Sequence, residues 1–246
     1  MPAPSLSLEH VSKSYGTVRA LDDVTISMHG GECLALVGES GSGKTTLLRC
    51  INRLVEPDEG SVRIDGRDAS SLDVIELRRS IGYVPQEGGL LPHWRVRRNV
   101  GLVPWLLGSR EEARLADDAL DMVGLPTSLF GTRWPDELSG GQRHRVAVAR
   151  ALAGGQSLML LDEPFGALDA ITRHDLQHMV LDLRAKRPLT IVLVTHDIHE
   201  AMFLADRVGV LRAGRLEQLA TPTSLGAEPA TPYVARLLAR AELLRS

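Results

Sequence analysis

Residues 33 to 50 read CLALVGESGSGKTTLLRC, an apolar run, a glycine-rich turn and a helical pattern in immediate succession. Cys33 to Gly38 form an almost unbroken apolar run, the composition of a strand buried on both faces of a parallel sheet. Gly38 to Thr45 then fit the pattern G-x-x-x-x-G-K-[ST], and TTLLRCINRLV (Thr45 to Val55) follows as a helix. Strand, glycine loop and helix together make a phosphate cradle. The glycines let backbone N–H groups converge on phosphate oxygens, and the helix N-terminus adds its positive end. The cradle comprises Gly38, Glu39, Ser40, Gly41, Ser42, Gly43, Lys44, Thr45 and Thr46. In such a loop the lysine, Lys44, reaches the β- and γ-phosphates, and the Thr45 hydroxyl binds Mg²⁺.

Two more apolar runs have the same buried-strand character: SLMLLD (Ser157 to Asp162) and TIVLVTHD (Thr190 to Asp197). Ahead of the cradle, SLSLEHVSKSYG and VRALDDVTISMHGGE alternate as half-buried antiparallel strands do. SVRIDG ends in an Asp-Gly turn signal, and RVGVLRAGRLEQL reads as a hairpin around Ala213-Gly214. Short strands alternating with helical patterns predict an α/β fold with a mainly parallel sheet. From about Glu87 the character changes to Pro and Gly breaks and an amphipathic helix, EEARLADDALDMVGL, with no strand signal. This part reads as a helical subdomain inserted into the α/β core. At the end, Thr231 is a candidate N-cap with Pro232 at the first helical position, and Val234, Leu237, Leu238 and Ala241 make one apolar face.

Composition narrows the function classes. Of 246 residues, 43% are hydrophobic and 24% charged, which suits a soluble chain with a sizeable core. The formal net charge of −3 supplies no global basic field for nucleic acid or acidic lipid. Two arginine clusters (Arg95, Arg97, Arg98 and Arg143, Arg145, Arg150) read as solvated helix faces. Cys33 and Cys50 fit no zinc or redox spacing, which argues for a reduced, cytosolic chain. No apolar run approaches the ~18 residues of a membrane span, and MPAPSLSLEH lacks the features of a signal peptide. The expectation is a cytoplasmic protein that serves a membrane, if at all, by docking to it.

LMLLDE (Leu158 to Glu163) supplies a metal half to the cradle. Asp162 at the carboxyl end of its strand is placed to hold Mg²⁺ through water, and Glu163 to polarise an attacking water. Taken alone, such a pair after a strand is more often an exposed strand end. His196 closes another strand at its carboxyl end, within reach of a γ-phosphate or simply structural. Gln86, after IGYVP, is by itself an ordinary loop glutamine.

A second glycine-rich turn, LSGGQ (Leu138 to Gln142), opens the helix RHRVAVARALA. The helix dipole and the Ser139 hydroxyl suit an anion. One small chain has little use for two cradles of its own, but a two-fold dimer does. Each chain's LSGGQ can close the other chain's ATP, giving two composite sites.

At this point the residues carry a family resemblance over essentially the whole chain. It resembles the ATP-binding subunit of an ABC transporter. The resemblance makes GESGSGKT the Walker A loop, LMLLDE the Walker B strand and LSGGQ (Ser139, Gly140, Gly141, Gln142) the signature. Gln86 falls on the Q-loop, Ala167 to Asp169 on the D-loop, His196 on the switch histidine, and Tyr15 on the aromatic that stacks against adenine. It implies Glu163, His196, Gln86 and Lys44 as catalytic residues, Thr45, Gln86 and Asp162 at the metal, and ATP and Mg²⁺ as cofactors. The implied fold is a P-loop NTPase within one domain, 1–246. A RecA-like core with an antiparallel β subdomain would span about 1–86 and 157–220, a helical subdomain about 87–156, and a C-terminal helix about 231–245.

Finer matches point to importers. GLLPHWRVRRNVGLVPWLLG (89–108) and DEPFGALDAITRHDLQ (162–177), with INRLVEPDEG and VTHDIHEA, resemble ATPases that import glycine betaine, choline, carnitine or related quaternary amines. The implied partners are a second copy of the chain, a transmembrane permease docked on the 89–108 stretch, and indirectly an extracytoplasmic binding protein, with no nucleic acid. The implied location is the cytoplasmic face of the membrane. An importer for another solute, an exporter, or a soluble ABC ATPase acting on nucleic acid are the competing readings. The chain resembles the shorter members, without the C-terminal regulatory domain pair that many carry. It departs at Arg95, where relatives often have Ser or Thr as a helix N-cap, a role Arg cannot fill.

Overall fold

The computed structural model describes residues 2–166 and 168–243. The first part of the chain forms β1 (Leu6–Tyr15), β2 (Val18–Met28), β3 (Cys33–Val37), α1 (Lys44–Ile51), β4 (Glu59–Ile64), β5 (Arg67–Asp68), α2 (Val74–Ser80) and β6 (Ile81–Val84). Helices then dominate: α3 (Val96–Val100), α4 (Leu102–Leu106), α5 (Glu112–Met122), α6 (Thr127–Phe130) and α7 (Gly140–Leu152). The remainder is β7 (Leu158–Asp162), α8 (Ala170–Lys186), β8 (Thr190–Val194), α9 (Ile198–Leu204), β9 (Arg207–Arg212), β10 (Arg215–Ala220), α10 (Pro222–Ala227) and α11 (Pro232–Leu243). Two compact units result, Met1–Leu77 with Leu189–Ser246, and Arg78–Pro188.

The first unit holds an antiparallel sheet in the order β2-β1-β4-β5. Leu6 pairs with Met28, Leu8 with Ile26 and Val11 with Val24, and all six are buried, so the alternation read in the sequence becomes one apolar face. In the same unit β3 runs parallel to β8 and β9, and β10 returns antiparallel to β9. All five residues of β3 and all five of β8 are buried, as their continuous apolar runs require. Both expected hairpin turns form with two successive left-handed residues, Asp65-Gly66 (φ 50° and 73°) and Ala213-Gly214 (φ 46° and 81°). That twist matches the strands they join.

One expected boundary is corrected. The helix after the cradle ends at Ile51, four residues short of Val55. Arg53 is left-handed (φ 53°) and its guanidinium donates to the carbonyls of Ala69 and Leu72, 3.1 and 2.9 Å away. Those acceptors lie on a distant turn and draw the chain out of the helix. At the other end of the unit, Thr231 caps α11 as expected, its Oγ1 accepting from the Val234 N–H at 3.3 Å. Tyr233 and Val234 are buried and Leu237 and Leu238 half-buried, while the Ala241 side chain and residues 244–245 lie outside what is described.

In the second unit β6 and β7 are parallel, with Ile81 opposite Leu158 and Val84 opposite Leu161. Helix α7 packs on this pair so closely that a side chain at Gly82 would collide with the Ala151 carbonyl, 2.5 Å from its Cβ. Arg95, Arg97, Arg98 and Arg143 are exposed, as expected, and Arg145 is half-buried; Arg150 departs from that reading. Arg97 pairs with Asp117 through its Nε at 2.7 Å, and Arg98 lies 4.1 Å from the Trp94 ring centroid. Arg143 and Arg145 donate to the carbonyls of Leu138 and Val123, at 2.7 and 2.8 Å. Arg150 is buried outright. Cys33 and Cys50 are buried and not joined in a disulfide, and burial pushes Cys50 up to about 12.

Candidate functional site

In the first unit, β3 delivers the chain to Gly38 and α1 takes it away at Lys44. Gly38 (φ 152°) and Gly43 (φ 103°) must be glycines. A Cβ at the first would lie 2.1 Å from the Leu211 carbonyl oxygen, and at the second 2.4 Å from that of Ala20. Gly43 is also the N-cap of α1, so no side-chain oxygen caps the first turn. The N–H groups there suit an anion instead. Lys44 is 5% exposed, and its ammonium donates to the carbonyls of Gly38 (2.7 Å) and Glu39 (2.9 Å) and to Ser42 Oγ (3.4 Å). A buried cation collared by neutral dipoles gains from an anion brought to the loop. The residues thus fit a nucleotide's phosphates. Glu39, Ser40 and Gly41 are exposed at the loop tip, while Thr45 and Thr46 are half-buried in the first helical turn.

Two braces of this loop escaped the sequence reading. The Tyr233 hydroxyl, on α11, accepts from the Glu39 N–H at 3.3 Å, and the Gly214 N–H donates to the Ser42 carbonyl at 3.1 Å. Tyr15 closes β1 with half its surface exposed, its ring 5.8 Å from the Lys13 ammonium. His196 is exposed two residues beyond β8. Its backbone is pinned from both sides. Thr195 Oγ1 donates to Glu200 at 2.6 Å and accepts from the Asp197 N–H at 3.0 Å, and Asp197 caps α9 through the His199 N–H at 2.8 Å.

The second unit carries the carboxylates. Asp162 ends β7 and is 3% exposed. Glu163 follows in the left-handed region (φ 49°), a strained conformation for a residue with a side chain and one that clusters at functional sites. Its Oε2 accepts from the Gln86 amide at 3.2 Å. The register explains that contact: Val84 lies opposite Leu161, so residues two beyond each face one another at the carboxyl edge. Neither segment announces the pairing by itself.

The turn bearing Gln86 is braced by buried polar groups that the sequence reading passed over. Arg150 donates to the carbonyls of Gly89 and Gly88 at 2.6 and 2.8 Å, and burial pushes its pKa down. The signal was there, as a lone arginine inside the apolar run VAVARALA and a glycine pair two residues after Gln86. Asn99, fully buried, accepts from the Leu91 N–H at 2.8 Å and donates to the carbonyls of Leu91 and Trp94 at 3.0 and 2.8 Å. Asn99→Ala strands these groups, and thermal or urea unfolding is expected to show a loss of about 2–4 kcal/mol. A change under about 0.5 kcal/mol would mean that water replaces the amide without cost.

LSGGQ begins α7 as expected, and Ser139 is its N-cap. Ser139 Oγ accepts from the Gln142 N–H at 3.3 Å, and Gln142 Oε1 accepts from the Ser139 N–H at 3.0 Å. This reciprocal box occupies the Gln142 side chain but leaves the serine hydroxyl its proton to donate. Gly140 lies against Leu168, and a Cβ at Gly141 would meet Thr172 Cγ2 at 2.2 Å, so the signature turn and the start of α8 adjoin. Asp169 caps α8, accepting from the N–H groups of Ile171 (3.1 Å) and Thr172 (3.0 Å). Hydrogen bonds from Thr172 hold its carboxyl below the ordinary value. Ala167, also placed on the D-loop, lies outside the described residues. The expected departure at Arg95 is real: no side chain caps α3. Backbone substitutes for it, the Val96 and Arg97 N–H groups donating to the carbonyls of Arg133 and Gly131 at 2.9 and 3.0 Å. Among the described residues no helix is long and apolar enough to cross a membrane.

Comparison with known proteins places the chain among relatives of one family. Residues 21–166 match the ABC transporter family. The carnitine transport ATP-binding protein of Listeria monocytogenes is 44% identical over 98% of the chain, which spans 61% of that protein's length. The glycine betaine uptake system ATP-binding protein YehX of Escherichia coli is 43% identical over 97% of the chain and 78% of its own length. The chain also superimposes on the ATP-binding cassette MJ0796, solved as a dimer in a post-hydrolysis state with ADP and Pi. There the TM-score is 0.79 at 36% identity, over 88% of this chain and 98% of the other.

Proposed function

The chain belongs to the ABC transporter family, and from that premise we propose that it hydrolyses ATP to drive an importer of quaternary amines such as glycine betaine, choline or carnitine. The observation that carries the ATPase reading is the Gln86–Glu163 contact beside the buried Asp162. The contact supports Glu163 as the base and Asp162 as the metal ligand, the neutral Gln86 amide orienting the Glu163 carboxylate.

In this reading Lys44 and the loop N–H groups bind the phosphates, Tyr15 stacks on adenine, and Thr45, Gln86 and Asp162 hold Mg²⁺. Bound Mg²⁺ would neutralise phosphate charge. Glu163 takes the proton of the attacking water, and His196 donates to the γ-phosphate. Ser139, Gly140, Gly141, Gln142 and Asp169 complete the site of a second copy, so ATP joins two chains and hydrolysis releases them. The carnitine and glycine betaine transport of the Listeria and Escherichia relatives supports quaternary amines as the cargo class.

A permease is the proposed membrane partner, with this chain bound peripherally at the cytoplasmic face and an extracytoplasmic protein delivering substrate. The 89–108 stretch supports a docking role. A groove of about 480 Å³ is lined there by Trp94, Arg95, Arg98, Leu102 and Trp105 among others, and Trp105 is 58% exposed. Aromatic and arginine side chains are the ones that dominate protein interfaces.

Uptake of labelled glycine betaine, choline and carnitine tests the cargo, in native cells at low and high osmolarity. Replacing the chromosomal copy by Glu163→Gln is expected to abolish uptake of at least one. Unchanged uptake of all three would remove quaternary amines as the cargo while leaving ATP hydrolysis to be judged separately.

A further inference from the structure

We infer that Arg150 is a positioning residue for ATP hydrolysis, making the turn that carries Gln86 and the helix that begins at Ser139 move as one body. The inference rests on the roles proposed above for Gln86 and Ser139.

Arg143, Ala147 and Arg150 share one face of α7, spaced as i, i+4 and i+7. The turn Pro85 to Gly89 lies on that face. It is closed by the Gly88 N–H donating to the Pro85 carbonyl at 2.8 Å. A Cβ at Gly88 would stand 3.6 Å from Ala147 Cβ, in ordinary contact with the helix. One turn further along, the Arg150 guanidinium puts separate nitrogens on the Gly88 and Gly89 carbonyls. With only 9% exposure, the cation depends on those two acceptors in place of water.

The fork of a guanidinium is rigid, and it reaches two successive carbonyls only in a particular backbone conformation. Here Gly88 and Gly89 are both left-handed, at φ 72° and 60°. A Cβ at Gly89 would come 2.8 Å from the Pro85 ring, so a side chain there would dislodge the acceptors. Moving the turn off the helix leaves a buried cation without partners, and moving the helix drags the turn. Helix α7 has 13 residues, a stiff rod about 20 Å long. Its far end is the Ser139–Gln142 capping box. A displacement of Gln86 is thereby delivered to Ser139. The coupling is needed if a turn that senses the γ-phosphate is to set when the signature closes on a second copy.

The test compares Arg150→Lys, Arg150→Met and Gly89→Val, each also combined with Gln86→Ala, in the full chain. A lysine keeps the charge but offers no fork, so partial function is expected from it and less from Met. For Arg150→Lys, kcat for ATP is expected to fall about 10- to 100-fold. KM and the dissociation constant of a fluorescent ATP analogue should stay within about twofold. Amide exchange should quicken at residues 87–91 and stay unchanged along β7. In the Gln86→Ala background the further loss should shrink below about twofold, because both changes act through the same turn.

A merely structural arginine would lower the melting temperature and the fraction of active protein but leave kcat per active site intact. That result, or an equal fold-loss with and without Gln86, overturns the inference. If the arginine variants do not fold, Gly89→Val attacks the same contact from its acceptor side and is judged by the same criteria. Absence of ATP turnover in the wild-type chain would instead refute the proposed function. The exchange measurement needs no activity and would still show whether Arg150 holds the turn.

Discussion

Glu163→Gln is expected to stop ATP turnover while leaving ATP bound. Removing a general base costs about 10²- to 10⁴-fold in rate. Glutamine matches glutamate in shape, and its carbonyl can still accept from the Gln86 amide, so the 3.2 Å contact and the left-handed backbone at φ 49° should both survive. What is lost is the ability to take a proton from water. Steady-state phosphate release should therefore fall to background while nucleotide affinity stays within about threefold. Light scattering should show the variant shifting from one chain to two on addition of ATP and remaining so. Turnover within twofold of wild type would show that Glu163 is not the base. Loss of turnover together with loss of ATP binding would place its role in holding the site together.

The second large effect is expected at Lys44. Its ammonium is buried among the carbonyls of Gly38 and Glu39, and Lys44→Ala takes away the one formal positive charge that the loop itself carries. Hydrogen bonds to charged groups contribute about 1.5–3 kcal/mol, so ATP affinity should fall about 10- to 150-fold. Unchanged affinity by equilibrium titration would deny the lysine its role. The same variant tests the composite site. A chain with Lys44→Ala keeps an intact LSGGQ, and one with Ser139→Arg keeps an intact phosphate loop. Neither should hydrolyse ATP alone. Mixed one to one, half the dimers pair the two variants, and each of those has one complete site. About a quarter of wild-type turnover should return. No recovery, with mixed dimers shown to form, would rule out head-to-tail sharing.

Much of this was legible in residues 33–50 and in the order of motifs along the chain. A phosphate loop is specified locally, because the glycines it needs, the lysine and the helix that follows all lie within a dozen residues. The same holds for the Asp-Gly and Ala-Gly hairpins, the Thr231 cap and the Ser139 start of α7, whose partners sit two to four residues away. The continuous apolar runs likewise identified β3, β7 and β8, since burial on both faces leaves no place for polar alternation.

Local sequence was thus enough for the class of fold, the strand–loop–helix around Gly38 to Lys44 and the place of Asp162 at the end of β7. Tertiary structure alone decided what the long polar side chains do. Arg150 reads as surface until its acceptors, some sixty positions earlier, are seen folded against it. Arg53 ends α1 early for the same reason, and backbone carbonyls at 131 and 133 take over the capping that Arg95 cannot provide. Gln86 meets Glu163 through strand register, across 77 residues of chain. A guanidinium or an amide carries no record of its partner in its neighbours. Its energy is set by whether burial leaves it an acceptor, and only the folded chain settles where that acceptor lies.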